Sequence, residues 1–178
     1  DDLEKISKLD TEDMLGFEEK FYEQLNEAKK IGESIDISKI RKDNFEGIAF
    51  LGMGGSGFTG DFIKCLIKYD VSIPIEIVKG YKLPSFINHN WLVIAVSYSG
   101  GTEETIAAVS EALKRNCEVV CSTSGGELEQ IAIKNNKCLI KIPGGFQPRA
   151  AAGFLIIPLY ILLSRIGIIT IDIKVIDD

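Results

Sequence analysis

The sequence from Gly47 to Gly57 reads Gly-Ile-Ala-Phe-Leu-Gly-Met-Gly-Gly-Ser-Gly. Its first part is apolar throughout, as expected of a strand that is buried on both faces. The glycines that follow permit a tight turn, and a helical pattern over 58–68 comes next. The stretch therefore predicts a strand, a turn and a helix, which is the repeating unit of a parallel sheet.

The rest of the chain repeats this alternation of short apolar runs and amphipathic stretches. Strands are predicted over 47–51, 73–78, 91–96, 117–121 and 137–142, and helices over 11–33, 58–68, 102–115, 127–134 and 149–166. Thr11 or Asp10 is the expected N-cap of the first helix. We predict an α/β fold: a doubly wound, five-stranded parallel sheet flanked by helices in a flavodoxin-like three-layer sandwich.

Charge and hydropathy narrow the range of partners. The 178 residues carry a net charge of −6 without a cluster of lysines and arginines, so neither a nucleic acid nor an anionic membrane is expected as a partner. The longest apolar run, 150–163, contains Pro158 and is shorter than the roughly 20 residues that span a bilayer. Because the N-terminus is charged and lacks a signal-peptide pattern, we expect a cytoplasmic protein.

Metal and disulfide chemistry are not expected. The four cysteines form no C-x-x-C pair, and His89 is the only histidine, which argues against a zinc site. We expect the cysteines to be reduced, buried and to pack as small hydrophobic residues: Cys65, Cys117, Cys121 and Cys138. We predict no metal and no cofactor.

The glycine-rich loop also fits the G-x-G-x-x-G pattern of dinucleotide-binding proteins. That fingerprint expects an acidic residue about 20 residues later, at the end of the second strand. Here Glu76 lies inside the strand, and Lys79 at its end would suit a 2′-phosphate at best. Dinucleotide binding and a glycine turn without a ligand both remain alternatives for this loop.

A second loop, Ser97-Tyr98-Ser99-Gly100-Gly101-Thr102, favours a phosphate ligand. It places three hydroxyls within six residues, directly after a predicted strand and before a predicted helix. Backbone N–H groups at a helix start attract anions, and the hydroxyls supply further donors. The alternative is an ordinary capped helix with Ser99 or Thr102 as N-cap, which explains one hydroxyl better than three.

Both loops, together with Gln147-Pro148-Arg149-Ala150-Ala151, resemble the SIS (sugar isomerase) domain. More narrowly, they are similar to the bifunctional phosphoglucose/phosphomannose isomerases of archaea and some bacteria. The resemblance covers nearly the whole chain in order and spacing. One departure is Gly101, where the family usually carries Asn, and we expect this loop to be more flexible as a result.

The resemblance implies a role for each residue of these motifs. Substrate phosphate would be held by Ser97, Ser99 and Thr102, and the sugar chain would be approached by Gly54, Gly55 and Ser56. Arg149 would be catalytic, near C1 and C2, where a negatively charged enediolate develops that a guanidinium can stabilise. The alternative is that Arg149 is a solvated residue in the first turn of the last helix.

The family's proton-transfer groups, a Glu and a His, lie later than this sequence extends. Glu103 and Glu104 are expected to complement a helix dipole, His89 to lie at the amino end of the sheet, and Trp91 to be core. The resemblance therefore implies that residues 1–178 are a single SIS domain, the N-terminal part of a longer protein with two such domains. We expect substrate binding without complete chemistry.

The function predicted from the resemblance is an aldose–ketose isomerase that interconverts glucose 6-phosphate, and mannose 6-phosphate, with fructose 6-phosphate. The alternative is a non-catalytic SIS module that senses a sugar phosphate or serves an amidotransferase. A homodimer through the apolar helix over 150–166 is expected, because an exposed face of that hydrophobicity would be costly in water.

Overall fold

The computed structural model describes residues 9–11, 14–41 and 44–170, and this part of the chain contains five strands and six helices. The helices are α1 (Met14–Glu19), α2 (Phe21–Ser34), α3 (Gly54–Ile67), α4 (Glu103–Lys114), α5 (Gly126–Lys134) and α6 (Ala152–Arg165). The strands are β1 (Gly47–Leu51), β2 (Ile75–Val78), β3 (Trp91–Val96), β4 (Glu118–Thr123) and β5 (Cys138–Lys141). A short 3₁₀ turn covers Ile37–Lys39.

The strands form one parallel sheet in the order β2-β1-β3-β4-β5. Each pairs in parallel with its neighbours, as with Leu51 opposite Ala95 on β3. The winding reverses between β1 and β3, and ligands of such sheets bind at the carboxyl ends of the strands beside that point. The predicted doubly wound, five-stranded sheet is confirmed.

Helices cover both faces of the sheet because alternate strand residues point to opposite sides. Ile48 and Phe50 face a core shared with α2, α3 and α6, whereas Ala49 and Leu51 face a core shared with α4 and α5. Trp91 is buried, as predicted, and its ring occupies the space that a side chain at Gly47 would fill. The result is the predicted three-layer sandwich.

Three predicted helices begin or break differently in the structure. The helix predicted over 11–33 is interrupted at Lys20, and the Asp10 carboxylate accepts a hydrogen bond from the Met14 N–H at 2.8 Å. The helix predicted from residue 58 begins at Gly54, because the glycines of the loop form its first turn. Glycine is a weak helix former, so sequence periodicity places this start too late.

The helix predicted over 149–166 begins only at Ala152. Residues 148–150 form a turn in which the Gln147 carbonyl accepts from the N–H groups of Ala150 and Ala151, at 2.9 and 3.2 Å. Arg149 therefore lies in a turn before α6, not in the helix.

The apolar helix α6 is covered within the chain itself. It packs on α2 at Gly32, where a Cβ would lie only 2.9 Å from the Ile161 Cβ. Its apolar side chains are buried or half-buried throughout. The expectation of an exposed apolar face on 150–166 was wrong, because α2 and the sheet enclose that face. No helix within the described ranges is long and apolar enough to cross a membrane.

Three of the four cysteines are buried, as predicted, but Cys65 on α3 is exposed. Burial raises the pKa of the Cys121 thiol to about 12 and that of Cys138 to about 11. Both thiols are therefore protonated at neutral pH and pack as small apolar groups.

Candidate functional site

Four loops meet at the carboxyl edge of the sheet, where the topology places a ligand. They follow β1, β3, β4 and β5 and, with the first residues of α3 and α5, cover residues 52–57, 97–102, 124–126 and 142–151. The sequence predicted the first, second and fourth as parts of the site. The third was not predicted, although Gly125-Gly126 after a strand is the same kind of signal as the first two.

The glycine-rich loop after β1 presents backbone at its tip and anchors itself through a serine. Gly54 has φ +52 and is exposed, as is Gly55, and a side chain at Gly54 would meet open space. Ser56 is buried, and its Oγ accepts a hydrogen bond from the Tyr98 N–H at 3.1 Å. This bond leaves the Ser56 hydroxyl hydrogen available to donate, and it joins the first loop to the second.

A basic residue beside this loop is already paired. The Lys79 Nζ lies 2.5 Å from Asp61 Oδ2, and its Cε lies 3.3 Å from where a side chain at Gly57 would begin. The Asp61 carboxylate already neutralises the Lys79 ammonium and would repel a ribose 2′-phosphate at this place. The geometry therefore does not favour the dinucleotide alternative for this loop.

Of the three serine and threonine hydroxyls in the serine-rich loop after β3, one is buried and two are accessible. Ser97 is 1% exposed, and its Oγ lies 3.0 Å from Thr102 Oγ1 and accepts from the Gly100 N–H at 3.1 Å. Ser99 is exposed and Thr102 is half-buried. The Ser97 hydroxyl therefore shapes the turn, and Ser99 and Thr102 are the two that face solvent.

The start of α4 lacks the side-chain cap that the alternative reading of this loop required. Thr102 occupies the N-cap position, but neither it nor Ser99 makes a capping hydrogen bond to the helix. Without such a cap, backbone N–H groups of the first turn remain available to a ligand. Glu103 and Glu104 lie in that first turn, as predicted.

The loop after β4 supports the serine-rich loop from behind. Ser124 Oγ donates to the Tyr98 carbonyl at 2.7 Å, and the Leu128 N–H donates to the Gly100 carbonyl at 2.9 Å. Gly100 has φ +71, and a Cβ there would lie 1.7 Å from the Gly125 oxygen. This contact fixes the turn, and only glycine fits in it.

The fourth loop brings Arg149 next to the glycine-rich loop. A cleft of about 560 Å³ is lined by Met14, Gly55, Gln147, Pro148 and Arg149. A Cβ on Gly55 would lie 3.8 Å from Pro148, so these two loops adjoin directly. Met14, from the first helix, is a wall residue that the motifs did not indicate. The serine-rich loop does not line this cleft but adjoins it through the bond between Ser56 and Tyr98.

The acidic residues near the serine-rich loop act on a neighbouring tyrosine. The negative charge of Glu104, followed by burial and the charge of Glu103, raises the pKa of the Tyr81 phenol. Tyr81 thus stays protonated at neutral pH beside this edge.

His89 lies at the opposite, amino edge, in the turn before β3, where its carbonyl accepts from Arg41. Within the described ranges, His, Cys, Asp and Glu form no group that could hold a metal ion.

Comparison with known families agrees with this arrangement of loops. The sequence profile of the SIS domain matches residues 41–154, which is more than half of the chain and includes all four loops. The chain belongs to the SIS domain family. The resemblance predicted from the three motifs is thereby confirmed at the level of the family.

Relatives of this SIS domain carry names that share one chemical feature. A bifunctional phosphoglucose/phosphomannose isomerase of Caldicellulosiruptor bescii is 35% identical over 83% of this chain and 43% of its own length. A D-glucosamine-6-phosphate 4-epimerase of Sulfolobus acidocaldarius is 36% identical over 72% of this chain and 40% of its own. Both names contain a phosphorylated hexose.

Solved structures agree on the fold. The C-terminal domain of a glucosamine-fructose-6-phosphate aminotransferase from Francisella tularensis superposes with a TM-score of 0.70 at 14% identity, covering 92% of this chain and 51% of that one. At that identity the likeness concerns the fold alone. The SIS domain described here spans less than half the length of the curated relatives named above.

Proposed function

We propose that this SIS domain binds a hexose phosphate, with the phosphate at the turn of Ser99 and Thr102. The observation that carries the proposal is the start of α4, where no side chain caps the helix and two accessible hydroxyls stand beside the first turn. N–H groups and hydroxyls at one place match the many acceptor sites of a phosphate. Ser97 contributes by fixing the shape of this turn.

We further propose that the sugar chain extends from there toward the glycine-rich loop and Arg149. Gly54 and Gly55 expose backbone at the tip of their loop, and Gly55 and Arg149 line the same cleft. Removing a proton from C2 or C1 of the sugar produces an enediolate, and returning the proton to the neighbouring carbon completes the isomerisation. The Arg149 guanidinium, always charged, would stabilise that negative charge.

The reaction that fits these groups is aldose–ketose isomerisation, in which glucose 6-phosphate or mannose 6-phosphate interconverts with fructose 6-phosphate. The names of the relatives support a phosphorylated hexose as substrate, and one of them supports isomerase activity. The reaction also needs a base and a ring-opening acid. His89, the one histidine in the sequence, lies at the opposite edge of the sheet. We therefore propose that these 178 residues bind substrate without turning it over.

The double variant Ser99→Ala, Thr102→Ala tests the phosphate assignment. Loss of two hydrogen bonds to a charged group should weaken binding of glucose 6-phosphate roughly 100-fold in titration calorimetry. Binding of free glucose should not change. The matched control is Ser72→Ala, Ser85→Ala, two serines exposed outside the site, which should bind like the unmodified chain. Equal weakening for glucose and glucose 6-phosphate would contradict the assignment.

We also propose a homodimer, with its interface on α3 and not on residues 150–166. Phe58, Phe62 and Leu66 repeat every four residues along α3 and are 53%, 38% and 47% exposed. Such a stripe is typical of a helix face that packs on a partner, and the same stripe on a second copy would complement it.

Sedimentation velocity tests this interface. The unmodified chain should dimerise with increasing concentration, and Phe62→Glu should be monomeric because it places a charge at the centre of the stripe. Tyr22→Glu, at another exposed aromatic residue on α2, is the control and should dimerise normally. A monomeric unmodified chain at all concentrations would contradict the proposal.

A further inference from the structure

The loop that carries Arg149 is held at both ends by buried polar side chains. Before Arg149, the Tyr98 phenol donates to the Pro143 carbonyl at 3.2 Å and accepts from the Phe146 N–H at 2.8 Å. After it, Gln24 Nε2 donates to the Ala150 carbonyl at 2.7 Å. The other end of that amide, Oε1, accepts from the Gly153 N–H at 2.8 Å.

Both side chains use a donor and an acceptor on residues 143–153, which are the loop and the start of α6. Tyr98 is 8% exposed and Gln24 is 5% exposed. Burying either polar side chain without hydrogen-bond partners would destabilise the fold. Phenylalanine and methionine would fill the same volumes without that requirement. The polar atoms therefore determine where the loop lies, in addition to filling the core.

The contact between Gln24 and the start of α6 leaves no room for a side chain at position 153. A Cβ at Gly153 would lie 2.6 Å from Gln24 Oε1, so only glycine allows this contact. Between the anchors, only residues 147–149 reach out to the cleft, and all of them are exposed. The backbone of Tyr98 makes two further bonds: its carbonyl accepts from Ser124 Oγ, and its N–H donates to Ser56 Oγ. Tyr98 therefore connects the loop to the rest of the carboxyl edge.

We propose that Gln24 and Tyr98 are positioning residues for Arg149. They hold residues 143–153 in one conformation before the ligand binds. The guanidinium can then contact the C1 and C2 end of the sugar without the loop losing further conformational entropy on binding. This role rests on the proposed function of Arg149. It concerns the sugar end of the ligand, because neither anchoring side chain bonds to the turn of Ser99 and Thr102 through its polar side-chain atoms.

A double-mutant cycle with two probes tests the proposal. 6-Phosphogluconate carries a carboxylate at C1, where Arg149 would act, and inorganic phosphate reports on the phosphate turn alone. Tyr98→Phe and Gln24→Met should each weaken 6-phosphogluconate binding roughly fivefold or more and leave phosphate binding within about twofold. In an Arg149→Ala background, neither substitution should have a further effect on 6-phosphogluconate. Tyr160→Phe, half-buried on α6 two turns from the loop, is the matched control and should change neither affinity.

The outcomes separate this inference from the proposed function. Equal weakening of both probes, or full additivity with Arg149→Ala, would show that the anchors only stabilise the fold and would overturn the positioning role. An unchanged 6-phosphogluconate affinity in Tyr98→Phe and Gln24→Met would overturn it as well. If the unmodified chain binds neither probe, the proposed function fails and the positioning role fails with it.

Discussion

Gly100 and Gly101 are neighbours in the serine-rich loop, yet they meet opposite surroundings. Gly100 has φ +71 and lies against the Gly125 carbonyl of the loop after β4. Gly101 is exposed, and a Cβ there would meet nothing within 4 Å. The first glycine is required by the fold. The second is the position at which the family usually carries Asn, and its greater flexibility here remains a prediction.

This pair predicts a sharp difference between two alanine substitutions. Gly100→Ala should lower the free energy of unfolding by roughly 3 kcal/mol or more, because it adds backbone strain and a clash with backbone atoms. Gly101→Ala should change it by less than about 0.5 kcal/mol, as for most surface substitutions. Urea denaturation followed by circular dichroism measures both. Similar stabilities for the two variants would contradict the close packing of the loops after β3 and β4.

At the scale of elements, the contact between α2 and α6 determines where the apolar helix lies. Gly32 lets the two helices approach, since a Cβ there would be 2.9 Å from Ile161 and 3.1 Å from the Pro158 Cα. The Arg165 guanidinium then donates to the Gly32 and Ile35 carbonyls, both at 2.9 Å, near the end of α2. This packing also determines where Gln24 lies relative to the Arg149 loop, because Gln24 belongs to α2.

Gly32→Val tests the contact between these helices. The larger side chain should cost about 1–3 kcal/mol of unfolding free energy through overpacking. Lys30→Val, at an exposed position of the same helix, introduces the same side chain without the clash and should cost less than about 1 kcal/mol, through its lower helix propensity alone. Thermal unfolding of the two variants gives the comparison. Equal loss in both would mean that the helices do not approach as closely as described.

Most elements of the fold could be predicted from the sequence because their patterns are local. Strands such as 91–96 are apolar throughout and end at glycine or serine, which indicates a buried parallel sheet. Boundaries were harder where glycine or proline stands at or just before a helix start, as with Gly54 in α3 and Pro148 in the turn before α6. The covering of α6 by α2 could not be predicted, because it depends on the contact of Gly32 with residues more than a hundred positions later.

The parts of the candidate site that lie within sequence motifs could be predicted, and the parts outside them could not. The glycine-rich loop and the serine-rich loop lie at one edge because both follow strands of a parallel sheet. Gln24, Met14 and Ser124 were missed, since each contributes through a long-range contact without a motif of its own. Ser97 shows the opposite case: its motif was clear, but only the structure shows that its hydroxyl is buried in the turn.

At the scale of the whole molecule, the two edges of the sheet offer an anion different surroundings. The carboxyl edge presents Ser99, Thr102 and the uncapped start of α4. The amino edge has a cleft of about 440 Å³ lined in part by Lys39, Arg41 and Lys137. There the buried Glu118 carboxylate already lies 3.2 Å from Arg41 Nε and 3.4 Å from Lys137 Nζ. Basic residues alone would favour the amino edge, whereas the geometry of donors favours the carboxyl edge.

A crystal structure of this chain with glucose 6-phosphate decides between the two edges. We expect the phosphate at hydrogen-bond distance from Ser99 Oγ, Thr102 Oγ1 and the first N–H groups of α4, with the sugar extending toward Gly55 and Arg149. A phosphate bound instead among Lys39, Arg41 and Lys137 at the amino edge, with the serine-rich loop empty, would contradict it.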